Sequence, residues 1–248
     1  MQIISHNKIK SRNIYSQTST IKKNKPNTTS NSCTNPYPVH NFYSNYITFN
    51  GFKKITRDDL KDVTIPNLQI INSVNLRGES LSHKRNIAFL PRIKKLGIKR
   101  IIDLKTSDYS EKFKQKVIAS GMEYLHFPID SCGISDDEIL EGLPLLFKAI
   151  DEDDYYIACA QGLHRTDIAL SANYLFNKNA KTPPVLYGHI QEGKVRYDDI
   201  FKRTNSLLAK IKNDLSQKPN SYFYNFDEET YKAKKKKLME LNNALAKS

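Results

Sequence analysis

"YYIACAQGLHRTDIAL", residues Tyr155–Leu170, is the stretch on which the fold turns. It opens with "YYIA", a short aromatic and aliphatic run that reads as a buried strand. It closes into "RTDIALSANYLFNK", whose apolar spacing predicts a helix. Between the two lies the loop "CAQGLH". A buried strand passing through a short loop into a helix is the repeating unit of parallel α/β sheets. Cys159 then stands at the carboxyl end of its strand, where ligands bind in open α/β folds. Two readings of this residue are open: a small core side chain, or a nucleophile at the floor of an anion pocket.

The loop chemistry favours the pocket. A chain entering a helix N-terminus presents unpaired backbone N–H groups and the positive end of the helix dipole, a combination suited to a phosphate dianion. The same field lowers a thiol pKa, so Cys159 is expected as a thiolate near neutral pH. The wall of the pocket is the run Ala160, Gln161, Gly162, Leu163, His164 and Arg165. Gly162 lets it curl and approach a ligand closely. Arg165, six residues after Cys159, carries a planar fork that can grip two phosphate oxygens. Thr166 adds a hydroxyl beside the sulfur, placed to steady the thiolate as it departs.

Outward from this unit the alternation continues. Asn67–Arg77 reads as extended, Ser82–Gly97 as a helix kinked or opened by Pro91, Ile98–Lys105 as a buried strand and Ser110–Gly121 as an amphipathic helix. Met122–Ile129 is the next strand, and Ser135 with Glu138 caps a further helix. The expected class is α/β: a central, mostly parallel sheet flanked by helices on both faces, with a helical C-terminal extension. Residues 1–46 are rich in Ser, Asn, Thr, Lys and Pro, and no acidic residue precedes Asp58, so this segment is expected to be a disordered leader. The domain is expected over 47–215, followed by a loop and a basic helix over 216–248. In that helix "KKKK" with Leu238, Leu241 and Leu245 reads as a solvated face and one docking stripe, the other reading being a membrane or nucleic-acid contact.

The 248 residues carry a formal charge of +13, which invites a polyanionic partner or simply keeps the surface solvated. The three cysteines, Cys33, Cys132 and Cys159, match no zinc or disulfide spacing and point to a reducing compartment. No apolar run reaches membrane-spanning length, and "MQIISHNKIK" lacks the apolar core of a secretory signal. The Ser-rich basic leader resembles organelle transit peptides and leaders of secreted bacterial effectors, and reads equally as a solvated tail.

Cys–Ala–Gln–Gly–Leu–His–Arg–Thr resembles the signature loop of the cysteine-dependent protein tyrosine and dual-specificity phosphatases, HCxxGxxR[ST], with Cys159, Gly162, Arg165 and Thr166 on its key positions. The segment from Val74 to Lys178 is similar to the atypical dual-specificity enzymes. The resemblance implies a phosphatase fold and hydrolysis of phosphomonoesters, foremost on phosphotyrosine, phosphoserine or phosphothreonine proteins, through a phosphocysteine and without cofactor or metal. It also implies an acid loop about thirty residues before the cysteine. Asp130, 29 residues upstream in "FPID", takes that place, while Asp136 and Asp137 are explained more simply as first-turn helix residues. Arg77 and Lys105 fall where the family has basic residues, which implies cations at the pocket rim. Two departures stand out: Ala158 replaces the histidine before the cysteine, and Asp167 follows Arg–Thr where a glycine is common. They keep a pseudophosphatase that binds phosphorylated partners without turnover as an alternative, beside an RNA 5′-triphosphatase and an inositol polyphosphate phosphatase.

Overall fold

Period-two burial on both faces of the strands organises the molecule. The computed structural model describes residues 54–105, 111–129, 137–202, 204–205, 208–209 and 227–247. β1 (Gln69–Ile70), β2 (Leu76–Arg77), β3 (Arg100–Asp103), β4 (Glu123–His126) and β5 (Tyr155–Ala158) form one sheet in the order β1-β2-β5-β3-β4. Only the β1–β2 pair is antiparallel; β2, β5, β3 and β4 run parallel. On β5, Tyr155 and Ile157 enter one core while Tyr156 and Ala158 enter the other; Ile102 and Ile101 of β3 divide the same way. A strand buried on both faces must be covered by helices on both sides. α1 (Arg57–Leu60), α2 (Leu90–Lys95) and α3 (Glu111–Ala119) lie with the Tyr156 face, while α4 (Asp137–Asp151) and α5 (His164–Phe176) cover the Tyr155 face. The expected α/β class is the observed one.

α5 is buried from Thr166 through Phe176, as a helix enclosed on all sides must be. One of its covers is the C-terminal helix α6 (Glu228–Ala246), which Asp227 caps by accepting from Thr230 N–H at 2.8 Å. Tyr231 stacks on Phe176 at 5.9 Å, and Leu238 and Asn242 are fully buried. The docking stripe therefore exists, but Asn242 holds the innermost place rather than Leu241 or Leu245. No helix among the described residues is long and apolar enough to cross a membrane.

One local expectation is corrected. The helix expected over Ser82–Gly97 begins only at Leu90, with Pro91 in its first turn where the missing N–H costs nothing. Its would-be N-terminal half is a polar turn instead, in which Glu79 collects Arg85, His83 and Asn86 Nδ2. A short hairpin, β6 (Ile190–Gln191) and β7 (Lys194–Val195), also went unanticipated; Glu192 and Gly193 both take positive φ at its tip, as a tight hairpin turn demands. Ser135, Cys33, Cys132 and the whole leader lie outside the described residues.

Candidate active site

The parallel strands end along one edge of the sheet, bringing Arg77, Lys105 and Cys159 to neighbouring chain ends. Leu104 N–H donates to Ala158 O at 2.8 Å, so Lys105 and Cys159 follow paired residues on adjacent strands. Cys159 is 4% exposed at the base of the loop.

Four successive loop carbonyls are tied to the surrounding protein. Ala160 O accepts from Ser80 N–H at 3.2 Å and Gln161 O from Asn67 Nδ2 at 3.0 Å. Gly162 O accepts from Arg77 Nε and NH2 at 3.0 and 2.7 Å, and Leu163 O from Arg77 NH2 at 3.0 Å. In a planar trans peptide the C=O of one residue and the N–H of the next point in opposite directions. Carbonyls 160–163 held by the body of the protein therefore turn the N–H groups of Gln161, Gly162, Leu163 and His164 the other way. Among the described residues these four N–H groups donate to no protein acceptor. α5 begins with no side-chain cap at Leu163, so the positive end of its dipole adds to the same side. Gly162 has φ +71°, and a Cβ there would strike the backbone of Gly78, so no other residue fits this curl.

Arg77 is not at a rim. It is 1% exposed and lies behind the loop, where its NH1 also reaches Val185 O at 3.3 Å and Asp167 Oδ1 at 2.7 Å. Only a guanidinium carries enough donors in one plane to serve three carbonyls while its charge is balanced by a carboxylate alongside. Asp167, fully buried, points away from the pocket: its Oδ2 accepts from Gly188 N–H at 2.7 Å and faces His189 Nδ1 at 2.9 Å. The carboxylate that departs from the family pattern is the counter-ion of the residue that shapes the loop.

Lys105 is buried as well, at 4% exposure, and its ammonium donates to Ser82 Oγ. Ser82 Oγ lies 3.0 Å from Ser80 Oγ, and Ser80 in turn holds Ala160 O. Among the described residues no carboxylate pairs with this ammonium, so a buried positive charge sits one strand away from the cysteine. Thr166 Oγ1 is buried without a partner, beside the loop it follows. His164 is exposed as a residue, yet desolvation of its ring and then His189, edge-on at 5.2 Å, push its imidazole below the ordinary value. It is neutral near pH 7, and Arg165, half-buried at the second helical position, is the loop's permanent charge. Ala158 is buried in the α2–α3 core and brings no polar group to Cys159. Asp130 lies outside the described residues; the chain reaches it from Ile129, whose N–H donates to Leu104 O at 3.1 Å.

Sequence reasoning missed Asn67, Ser80, Ser82, His189 and the segment Pro184–His189, which packs behind the loop. The run "PPVLYGH" did carry a signal, since two prolines and a glycine mark a segment whose path is fixed.

No family model and no curated protein matches the chain. Among solved structures it is similar to a DUF442 protein of Shewanella putrefaciens CN-32 described as a candidate phosphatase, at 18% identity over 62% of this chain and 98% of that one, TM-score 0.46. It is similar also to the core catalytic domain of the PP-IP phosphatase Siw14 of S. cerevisiae, at 19% identity over 44% and 66%, TM-score 0.33. A third is the PTP-2 phosphatase of Cydia pomonella, at 14% identity over 56% and 78%, TM-score 0.33. At such distances the chemistry of the loop has to be read from its own atoms.

Proposed function

We propose that the chain is a cysteine-dependent phosphatase acting on phosphomonoesters, with phosphorylated proteins as the foremost substrate class. The observation that carries the reading is the set of four consecutive loop carbonyls bonded away from the pocket, which leaves four N–H groups free above a buried cysteine. Such a cradle, with Arg165, matches the three equatorial oxygens of a phosphoryl group in transfer. Cys159 Sγ attacks phosphorus in line, the S–P bond forms as the P–O bond to the leaving group breaks, and Asp130 gives that oxygen its proton. Water then attacks the phosphocysteine, Asp130 takes back a proton, and the thiolate departs with Thr166 Oγ1 beside it. Lys105 adds positive field from the neighbouring strand.

The test is hydrolysis of a small aryl phosphate in the presence of a chelator. Turnover is expected with the intact chain and none with Cys159→Ser; activity in that variant, or a requirement for added metal, would overturn the mechanism. Asp130→Asn is expected to remove the basic limb of a bell-shaped pH profile. Ala158 favours a second reading, a phosphate-holding module without turnover, because the position before the cysteine supplies no hydrogen bond to it. Inorganic phosphate protecting Cys159 from alkylation with no hydrolysis of any aryl phosphate selects that reading.

A further inference from the structure

The C-terminal helix α6 is joined to the phosphate cradle by a continuous set of hydrogen bonds, and their common anchor is Asn242. This side chain is fully buried and its carboxamide is completely used. Oδ1 accepts from Leu186 N–H at 2.8 Å, while Nδ2 donates to Pro184 O at 3.0 Å and to Leu238 O at 2.8 Å. One side chain thus pairs with two backbone groups of the segment 184–189, as a neighbouring strand would.

That segment lies directly behind the loop. Val185 O takes Arg77 NH1, Gly188 N–H donates to Asp167, and the Tyr187 ring stands 5.2 Å from the Arg77 guanidinium carbon. Gly188 approaches so closely that a Cβ would fall 2.6 Å from His164 N and 2.7 Å from Leu163 C. Arg77, held from this side, holds Gly162 O and Leu163 O on the other. The path runs from Asn242 through residues 184–188 to Arg77 and Asp167, and from them to the two peptides that aim the N–H groups of Leu163 and His164.

We infer that Asn242 is a positioning residue for the anion cradle and that α6 is a clamp on the active-site loop rather than an appended tail. The inference deepens the phosphatase reading and rests on it only for the meaning of anion binding. Apolar contacts alone dock a helix without fixing the path of a neighbouring backbone. A buried carboxamide with every donor and acceptor engaged fixes that path, because any shift of the segment leaves a buried polar group unpaired.

The test compares Asn242→Ala and the near-isosteric Asn242→Leu with Leu238→Ala, which opens a cavity one turn away and leaves the clamp intact. In the full chain, iodoacetamide alkylation of Cys159 is followed by peptide mass mapping, with inorganic phosphate titrated as protectant, below the melting temperature of every variant. Both Asn242 variants are expected to raise the alkylation rate and to weaken phosphate protection about tenfold, equivalent to about 1.4 kcal/mol. Leu238→Ala is expected to lower the melting temperature and change neither quantity. Equal effects in the Leu238 variant, or wild-type behaviour in Asn242→Leu, would reduce Asn242 to a packing residue and overturn the inference. If phosphate fails to protect the wild-type chain, the cradle reading falls, while the alkylation rates still decide whether α6 clamps the loop.

Discussion

Removing Arg77 tests the construction of the cradle most directly. Arg77→Met deletes the donors to Gly162 O, Leu163 O and Val185 O and strands the Asp167 carboxylate at zero exposure. Loss of one partner from a buried ion pair costs about 3–5 kcal/mol, because the remaining charge stays buried and uncompensated. Asp167→Asn keeps an acceptor for Gly188 N–H and leaves Arg77 its three carbonyls. It leaves the buried guanidinium without a counter-charge, however, so its cost is about 3 kcal/mol, the low end of the same range. In the double variant no charge is left behind, and the combined loss should fall short of the sum by at least about 1 kcal/mol. The assay is urea unfolding of the four proteins, with phosphate protection of Cys159 measured on each. Should Arg77→Met prove unfolded, Arg77→Lys replaces it: the ammonium keeps the charge but cannot reach two carbonyls and a carboxylate in one plane. Losses that simply add, or a change at Arg77 costing under about 1 kcal/mol, would refute the buried-strut account and return Arg77 to the surface.

Three further outcomes follow from the same geometry. Thr166→Val should leave the urea midpoint unchanged or raise it, since the buried hydroxyl has no partner to lose, yet slow the second chemical step so that a burst precedes steady turnover. Lys105→Met should not destabilise, because it removes a buried ammonium whose partner is one hydroxyl, but phosphate protection should weaken about fivefold, the loss expected from a charge that acts through its field. Glu79 sets a pH dependence: burial pushes its carboxyl up, but hydrogen bonds from Arg85 and Asn86 and the charges of His83 and Arg85 together hold it below its usual value. A carboxyl depressed in the folded state stabilises above its unfolded pKa, about 4.3, and that contribution disappears as pH falls through the folded value. The melting-temperature gap between wild type and Glu79→Gln should hold from pH 7 to about 5 and close below that range.

The strand–loop–helix unit was legible because its determinants are local. "YYIA" alternates between two cores, and the Cys–Gly–Arg–Thr spacing is set by a loop a few residues long. Arg77 was not legible in the same way. A cation on a strand next to β5 reads as part of a pocket, but whether it reaches the loop from the front or from behind depends on backbone carbonyls. The orientation of Gly162 O and Leu163 O is not encoded by any side chain at those positions. The burial of Lys105 was not legible for the related reason that strand-end residues look exposed until the turn carrying Ser80 and Ser82 folds over them. That turn was itself misread as helix, since its apolar spacing hides the Glu79 network that closes it.

Asp167 shows why a departure from a family pattern is weak evidence until its neighbours are known. Turning four carbonyls out of a pocket requires donors behind it, and here two of the four are held by one guanidinium. A guanidinium buried to 1% needs a counter-charge, or its desolvation would favour any rearrangement that lets it escape. The first turn of α5 reaches Arg77 through Asp167, and a carboxylate is favoured there by the helix dipole. A glycine at that position would leave Arg77 unbalanced and the Gly188 and His189 donors without their acceptor. The charge that departs from the family pattern is therefore a condition for holding the four loop N–H groups in place. That charge is itself cancelled behind the loop, because Asp167 Oδ1 lies 2.7 Å from Arg77 NH1.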